Sequence, residues 1–153
     1  MRDKIKQESL GTLGSPSTKA GAVAAQVVAA IAAVELPHDQ WPDLVGQLLG
    51  FVNNPRSATS LKIATLQAIG FICESIVSWG AQLCFRTFAN QNSQKPETLA
   101  LRSNEILTAV IHGARKEEPS PEVQLAAIHS LFNSLEFVRE NFEREVSPTF
   151  FPP

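Results

Sequence analysis

Three histidines, two cysteines and one short run of charge are the groups whose chemistry could reach beyond packing in this chain. His38, His112 and His129 stand apart. They form no His-x-x-x-His pair and have no cysteine cluster beside them, so no zinc-type ligand set is assembled. Cys73 and Cys84 make no Cys-x-x-Cys motif, and Cys73 reads as a small core residue. Two cysteines in 153 residues fit a reducing compartment better than a disulfide scaffold. Glu117 and Glu118 follow Arg115 and Lys116 at the end of an apolar pattern. Paired carboxylates can do acid–base work, but a solvated charged turn explains this run better. There is no Gly-x-Ser-x-Gly elbow, P-loop or dinucleotide fingerprint. The chain thus offers no catalytic residue, no metal site and no cofactor motif.

The elements that would carry a binding site are helices. Hydrophobic residues make up 44% and charged residues 18%, which places the chain among globular proteins. A formal net charge of -2 leaves no basic surplus for nucleic acid. The charged start Met1–Glu8 lacks the apolar centre of a signal peptide. The run Ala20–Val34 is broken by Gly21 and Gln26 and reads as too short and too weakly apolar to span a bilayer, so no membrane insertion is expected.

Helical periodicity then sets out the order. After the turn Gly14-Ser15-Pro16-Ser17, with Ser17 or Thr18 as cap, a helix spans Thr18–Glu35. Its stripe is Val23, Val27, Ala30, Ile31 and Val34; Ala24, Ala25, Ala29, Ala32 and Ala33 permit close approach. In Leu36–Leu44, Pro37 stops that helix, Asp39 caps the next, Pro42 enters its first turn and Trp41 pins the turn from beneath. The second helix, Asp39–Val52, points Leu44, Val45, Leu48, Leu49 and Val52 inward and ends at Asn53-Asn54-Pro55, residues tolerant of a left-handed turn. The third, Ala58–Ile76, buries Ile63, Leu66, Ile69, Cys73 and Ile76. Gly70 costs about 1 kcal/mol inside a helix, so it marks a close contact. Val77–Gln94 carries no helical stripe and no acidic residue, and Asn90–Gln94 reads as loop. Helices resume over Glu97–Arg115, with Leu101, Ile106, Val110 and Ala114 inward. A last helix covers Pro121–Phe142, with Val123, Leu125, Ile128, Phe132, Leu135, Val138 and Phe142 apolar. Three prolines keep Val146–Pro153 from being helical. Corresponding helices recur at about 40 residues once Val77–Gln94 is set aside. Periodicity alone allows a repeat array or a bundle.

Several of these segments, in this order, resemble the N-terminal third of the importin-β family of nuclear-import receptors. They are Leu10–Ser15, the turn with Trp41-Pro42-Asp43-Leu44, Gln67–Ser75, Ser103–Ile111, Arg115–Ser120 and Asn133–Phe137. The resemblance implies an all-α fold, an α-α superhelix of the HEAT/armadillo-like type with about two and a half repeats. Residues 1–16 would be the remnant of an upstream repeat and 17–145 the array, interrupted by an irregular insertion at 77–94 and followed by a non-helical tail at 146–153. It also implies a binding solenoid without catalysis or cofactor. Its partners would be nucleoporin Phe-Gly repeats and Ran in its GTP form, with importin-α and cargo only in the full-length parent. Its place would be the cytoplasm and nucleus, including the nuclear envelope and pore. By resemblance Leu107, Thr108 and Ile111 form the near half of a Phe-Gly pocket whose far wall belongs to the following repeat. A leucine and an isoleucine at i and i+4 make one ledge for an aromatic ring. Ran contacts would come from inner helices such as Ala58–Ile76. Lys62 is a weak candidate there, a solvated lysine is the better reading, and no Ran-binding residue is assigned. The alternative is a stand-alone adaptor holding a peptide or helix on its concave face.

The chain departs from the family pattern by starting inside it, by ending it after Glu145, and at Val77–Gln94. Both foreign segments begin with valine, whose codons start with GU, and Gln94 can be read from CAG. Translated in-frame intron sequence is one explanation; a loop insertion and a natural terminus are the other. Spliced transcripts joining the codons of Ile76 and Lys95 would separate them.

Overall fold

A computed structural model describes residues 1–38, 40–87 and 103–146. Among these residues there is no strand, and the helices pair in sequence order: α1 (Arg2–Leu13) with α2 (Thr18–Glu35), α3 (Leu44–Asn53) with α4 (Thr59–Thr87), and α5 (Ser103–Ala114) with α6 (Pro121–Val146). The second helix of each pair lies beside the next second helix, α2 against α4 and α4 against α6. α3 likewise lies against α5. Two layers of helices with one shared core result, the arrangement of a stacked helical-repeat array.

The core runs between the layers. Leu13, Val28, Leu44, Leu48, Leu66, Ile72, Ile106, Val110 and Val123 are all buried. At Gly70 two helices nearly touch: a β-carbon added there would sit 3.2 Å from the Cα of Ser130 on α6. The sequence expectation of a close contact holds. Gly70→Val should therefore cost about 1–3 kcal/mol by overpacking. Gly70→Ala should stay near neutral, because about 1 kcal/mol of helix propensity offsets the tight contact. Thermal unfolding of the two variants checks the ordering.

Two faces are not the ones the stripes predicted. On α2 the buried residues are Gly21, Ala24, Ala25, Val28, Ala29, Ala32, Ala33 and Glu35, while Val23, Val27 and Val34 are exposed. On α6 the buried residues are Val123, Ala126, Ala127, Ser130 and Ser134, while Leu125, Ile128, Phe132 and Leu135 are exposed. Small side chains let the helices approach, so the small-residue faces became the contact. The bulkier aliphatic stripes look outward at the two ends of the array. α2 is long and apolar enough by length and composition to cross a membrane, contrary to the sequence reading. Its alanine face is nevertheless core, packed against α1 and α4.

The turn after α2 is held from below. Leu36–His38 form one turn of 3₁₀ helix, the Gln40 amide donates to the Glu35 carbonyl at 3.0 Å, and α3 starts at Leu44. Asp39 lies outside the described residues, and the N-cap position belongs to Asp43, so Pro42 sits in the turn and not in the helix. Trp41 is 7% exposed, as the pinning role requires. The Lys6 ammonium lies 5.1 Å from its ring centre. Lys6 also pairs with Glu35, which is 2% exposed, and Arg2 reaches the other oxygen of that carboxylate at 2.9 Å. Residues Arg2–Leu13 form a regular helix whose Arg2 and Lys6 neutralise a buried acid.

Three boundaries differ from expectation. Asn54 is extended (φ -76°, ψ 116°), so no left-handed cap ends α3; its side chain instead accepts the Arg56 amide at 2.9 Å. The break expected after Ile76 is absent, and α4 continues through Val77 to Thr87. That stretch has no proline and only one glycine, Gly80, and extending an established helix needs no new nucleus. α6 likewise runs on to Val146, where the tail was expected to begin. The rest of the expected insertion, 88–94, and the tail from 147 lie outside the described residues.

Candidate functional site

Leu107, Thr108 and Ile111, the residues named from sequence, lie on α5. Ile106, Ala109, Val110 and Gly113 face the core, which turns Thr108, Ile111 and Arg115 outward. Leu107 sits at the boundary, half-buried and packed against the core edge. Ile111 is 50% exposed. Leu107 and Ile111 are four residues apart, so their side chains are neighbours on one helix face. Leu107 and Ile111 themselves carry no group for proton transfer or covalent chemistry.

Lys62 is neither the solvated residue nor the exposed partner contact weighed from sequence. It is buried, and its ammonium meets Glu118 at 2.9 Å. The pair ties the first turns of α4 to the turn between α5 and α6. Gln124 Nε2 supports that turn by donating to the Arg115 carbonyl at 2.8 Å and the Glu118 carbonyl at 3.2 Å. Ser120 opens α6: its hydroxyl accepts the Val123 amide and donates to Glu122 at 2.7 Å, which holds the Glu122 carboxyl below the usual carboxylate range. Beside the Lys62–Glu118 pair is a cavity of about 600 Å³, lined by Val52, Asn53, Pro55, His112, Arg115 and Glu117 among others. Its charges are mixed and its central ion pair is already satisfied, so it reads as a cleft between two braced turns.

The remaining candidates stay apart. His38 and His129 are exposed and His112 is half-buried in the cleft wall. Among the described residues no three of His, Cys, Asp and Glu gather as a metal ion would need. Cys73 is buried, and burial pushes its thiol up to about 12 from an ordinary value near 9. In a Cys84→Ser background, a thiol reagent at pH 8 should label Cys73 at least ~100-fold more slowly in the folded than in the unfolded chain. The thiol's raised value also sets a sign. The stability it contributes is intact below pH 9 and is lost as pH rises toward 12, because the unfolded chain gives up the proton first. What sequence reasoning missed is the Glu35–Arg2–Lys6 cluster. One acid at the end of an alanine-rich helix was its only signal.

No family model matches the chain. The chain is similar to importin subunit beta-1 of Schizosaccharomyces pombe, 47% identical over 145 residues, 95% of this chain and 15% of that protein. Against importin subunit beta-1 of Saccharomyces cerevisiae it is 36% identical over 144 residues, 94% of this chain and 15% of that protein. A crystal structure of importin beta in an ammonium sulfate condition superposes with a TM-score of 0.74 at 47% identity, over 93% of this chain and 14% of that one. Two yeast Kap95p structures agree over 94% of this chain and 15% of theirs. One, in which Kap95p binding induces the switch loops of RanGDP to adopt the GTP-bound conformation, has a TM-score of 0.71 at 34% identity. The other, a Kap95:Nup1 complex, has a TM-score of 0.72 at 36% identity. The chain spans about one-seventh of the length of these relatives.

Proposed function

We propose that this chain, an importin-β HEAT-repeat segment in both sequence and fold, is a binding surface of a nuclear-import receptor of that family and not a catalyst. The observation that carries the reading is the joint match of sequence and stacked-helix fold over more than nine-tenths of the chain. Its partners are nucleoporin Phe-Gly repeats and Ran in the GTP form; related Kap95p structures with Nup1 and with Ran support that choice. Importin-α and cargo belong to the full-length parent. The chain works in the cytoplasm and nucleus and at the nuclear pore.

Within this reading Leu107, Thr108 and Ile111 are the near wall of a Phe-Gly site. The half-exposed Ile111 beside the anchored Leu107 supports that role. Ran-contact residues stay unassigned, since the buried Lys62–Glu118 pair removes the one candidate named from sequence. Residues 1–145 fused to the next repeat of the fission-yeast relative test the proposal. The fusion should bind Phe-Gly repeats more tightly than the chain alone, and Ile111→Asp should remove that gain. A stand-alone adaptor would bind neither Phe-Gly repeats nor GTP-loaded Ran in either form.

A further inference from the structure

We propose that the cleft between the two braced turns takes a peptide bearing a single acidic side chain, and that Arg115 holds its carboxylate. One wall is the turn from α3 to α4 and the other the turn from α5 to α6, so the cleft is bounded on both sides within the chain. Its volume of about 600 Å³ has room for a short peptide segment and not only for an ion. Arg115 is exposed and lines the cleft, and among the described residues its side chain has no ion pair or hydrogen bond. Its backbone is fixed, because its carbonyl accepts the Gln124 Nε2 at 2.8 Å and the Glu118 amide at 3.1 Å. A guanidinium held at its base and open at its fork suits two parallel hydrogen bonds to a carboxylate. Beside it, Glu118 balances the charge of Lys62 but accepts only one of its three ammonium hydrogens, and no other described group accepts from it.

Glu117 sets the limit on the ligand's charge. It also lines the cleft and makes no ion pair among the described residues. Lys62 and Arg115 are formally balanced by Glu118 and Glu117, so the cleft has no positive surplus for a phosphate group or a polyanion. One carboxylate on the Arg115 fork is the anion that such a site accommodates. The rest of the lining sets what accompanies it. Val52 and Pro55 are apolar, and proline has no N–H to leave unpaired beneath a ligand. Asn53 is exposed, and its side-chain amide can both donate to and accept from a peptide backbone. The segment that fits is therefore an acidic residue beside an aliphatic one. Leu107 and Ile111 do not line this cleft, so the inference does not rest on the Phe-Gly reading.

An NMR titration of the isotope-labelled chain with the N-acetylated, C-amidated peptide Ala-Glu-Leu-Ala, to ~10 mM, tests this. Shifts should centre on the Arg115 guanidinium, the Asn53 side-chain amide and the Val52 methyls, and leave the Leu107 and Ile111 methyls nearly unmoved. The peptide with glutamine in place of glutamate should bind at least ~10-fold more weakly, and so should inorganic phosphate. Arg115→Ala keeps the carbonyl that the turn uses, so the fold should survive, which circular dichroism checks, and peptide affinity should fall at least ~10-fold. Should that variant misfold, Arg115→Gln repeats the test. Glu117→Gln removes a repelling carboxylate and should tighten binding about 2-fold. No response to ~10 mM, equal binding of the glutamate and glutamine peptides, phosphate binding as tight as the peptide, or affinity unchanged in Arg115→Ala would each overturn the proposal.

Discussion

Trp41→Ala should lower the unfolding free energy by about 3–5 kcal/mol. A domain of this size holds roughly 5–15 kcal/mol in all, so the variant should be marginal at room temperature. The indole is nearly fully buried beneath the turn from α2 to α3, and its loss leaves a cavity that short turn cannot fill by collapsing. The Lys6 ammonium would lose the ring it rests on and keep Glu35, Asp3 and the Gln40 carbonyl. Damage should therefore spread to α1, which is tied to this turn through Arg2 and Lys6. Trp41→Phe keeps most of the apolar body and should cost about 1–2 kcal/mol. Urea unfolding followed by helical circular dichroism measures both. Fluorescence is the poorer probe, because it would also report Trp79 in α4.

Lys62→Met should cost about 3 kcal/mol, although methionine matches the lysine stem in size. The cost comes from the partner. Glu118 keeps only about a tenth of its side chain exposed, and without Lys62 its carboxylate would be left nearly buried without the cation it pairs with. The double variant Lys62→Met with Glu118→Leu should recover most of the loss, since a well-packed apolar pair can replace a buried ion pair at little net cost. Equal losses in the single and double variants would mean that the pair holds nothing together. Denaturant midpoints of the two single variants and the double close the cycle.

The helices and their order were legible because apolar residues recur at three and four and the turns carry proline and capping residues. Trp41, Gly70 and Cys73 were read correctly for the same reason: each is a local signal with one packing consequence. What could not be read was which side of α2 and α6 meets the core. Periodicity marks an apolar face, but a helix in a stacked array has two neighbours. The small-residue side was the one that packed tightly here. The ion pairs joining Glu35 to α1 and Lys62 to Glu118 link residues some 30 to 56 positions apart, which no local pattern encodes. The ledge at Leu107 and Ile111 is visible only through family resemblance. Its i, i+4 spacing alone describes any helix that packs on a neighbour.

The most direct test of an importin-β-type surface on α5 is a methyl NMR titration of the chain with a Phe-Gly repeat peptide. A half pocket offers roughly 1 kcal/mol or less per ring from apolar area, against about 4 kcal/mol for even millimolar affinity. The predicted result is shifts centred on the Leu107 and Ile111 methyls that grow without saturating to millimolar peptide and vanish in Ile111→Asp. Saturation at micromolar peptide, shifts that survive Ile111→Asp, or no response at these methyls would contradict the account.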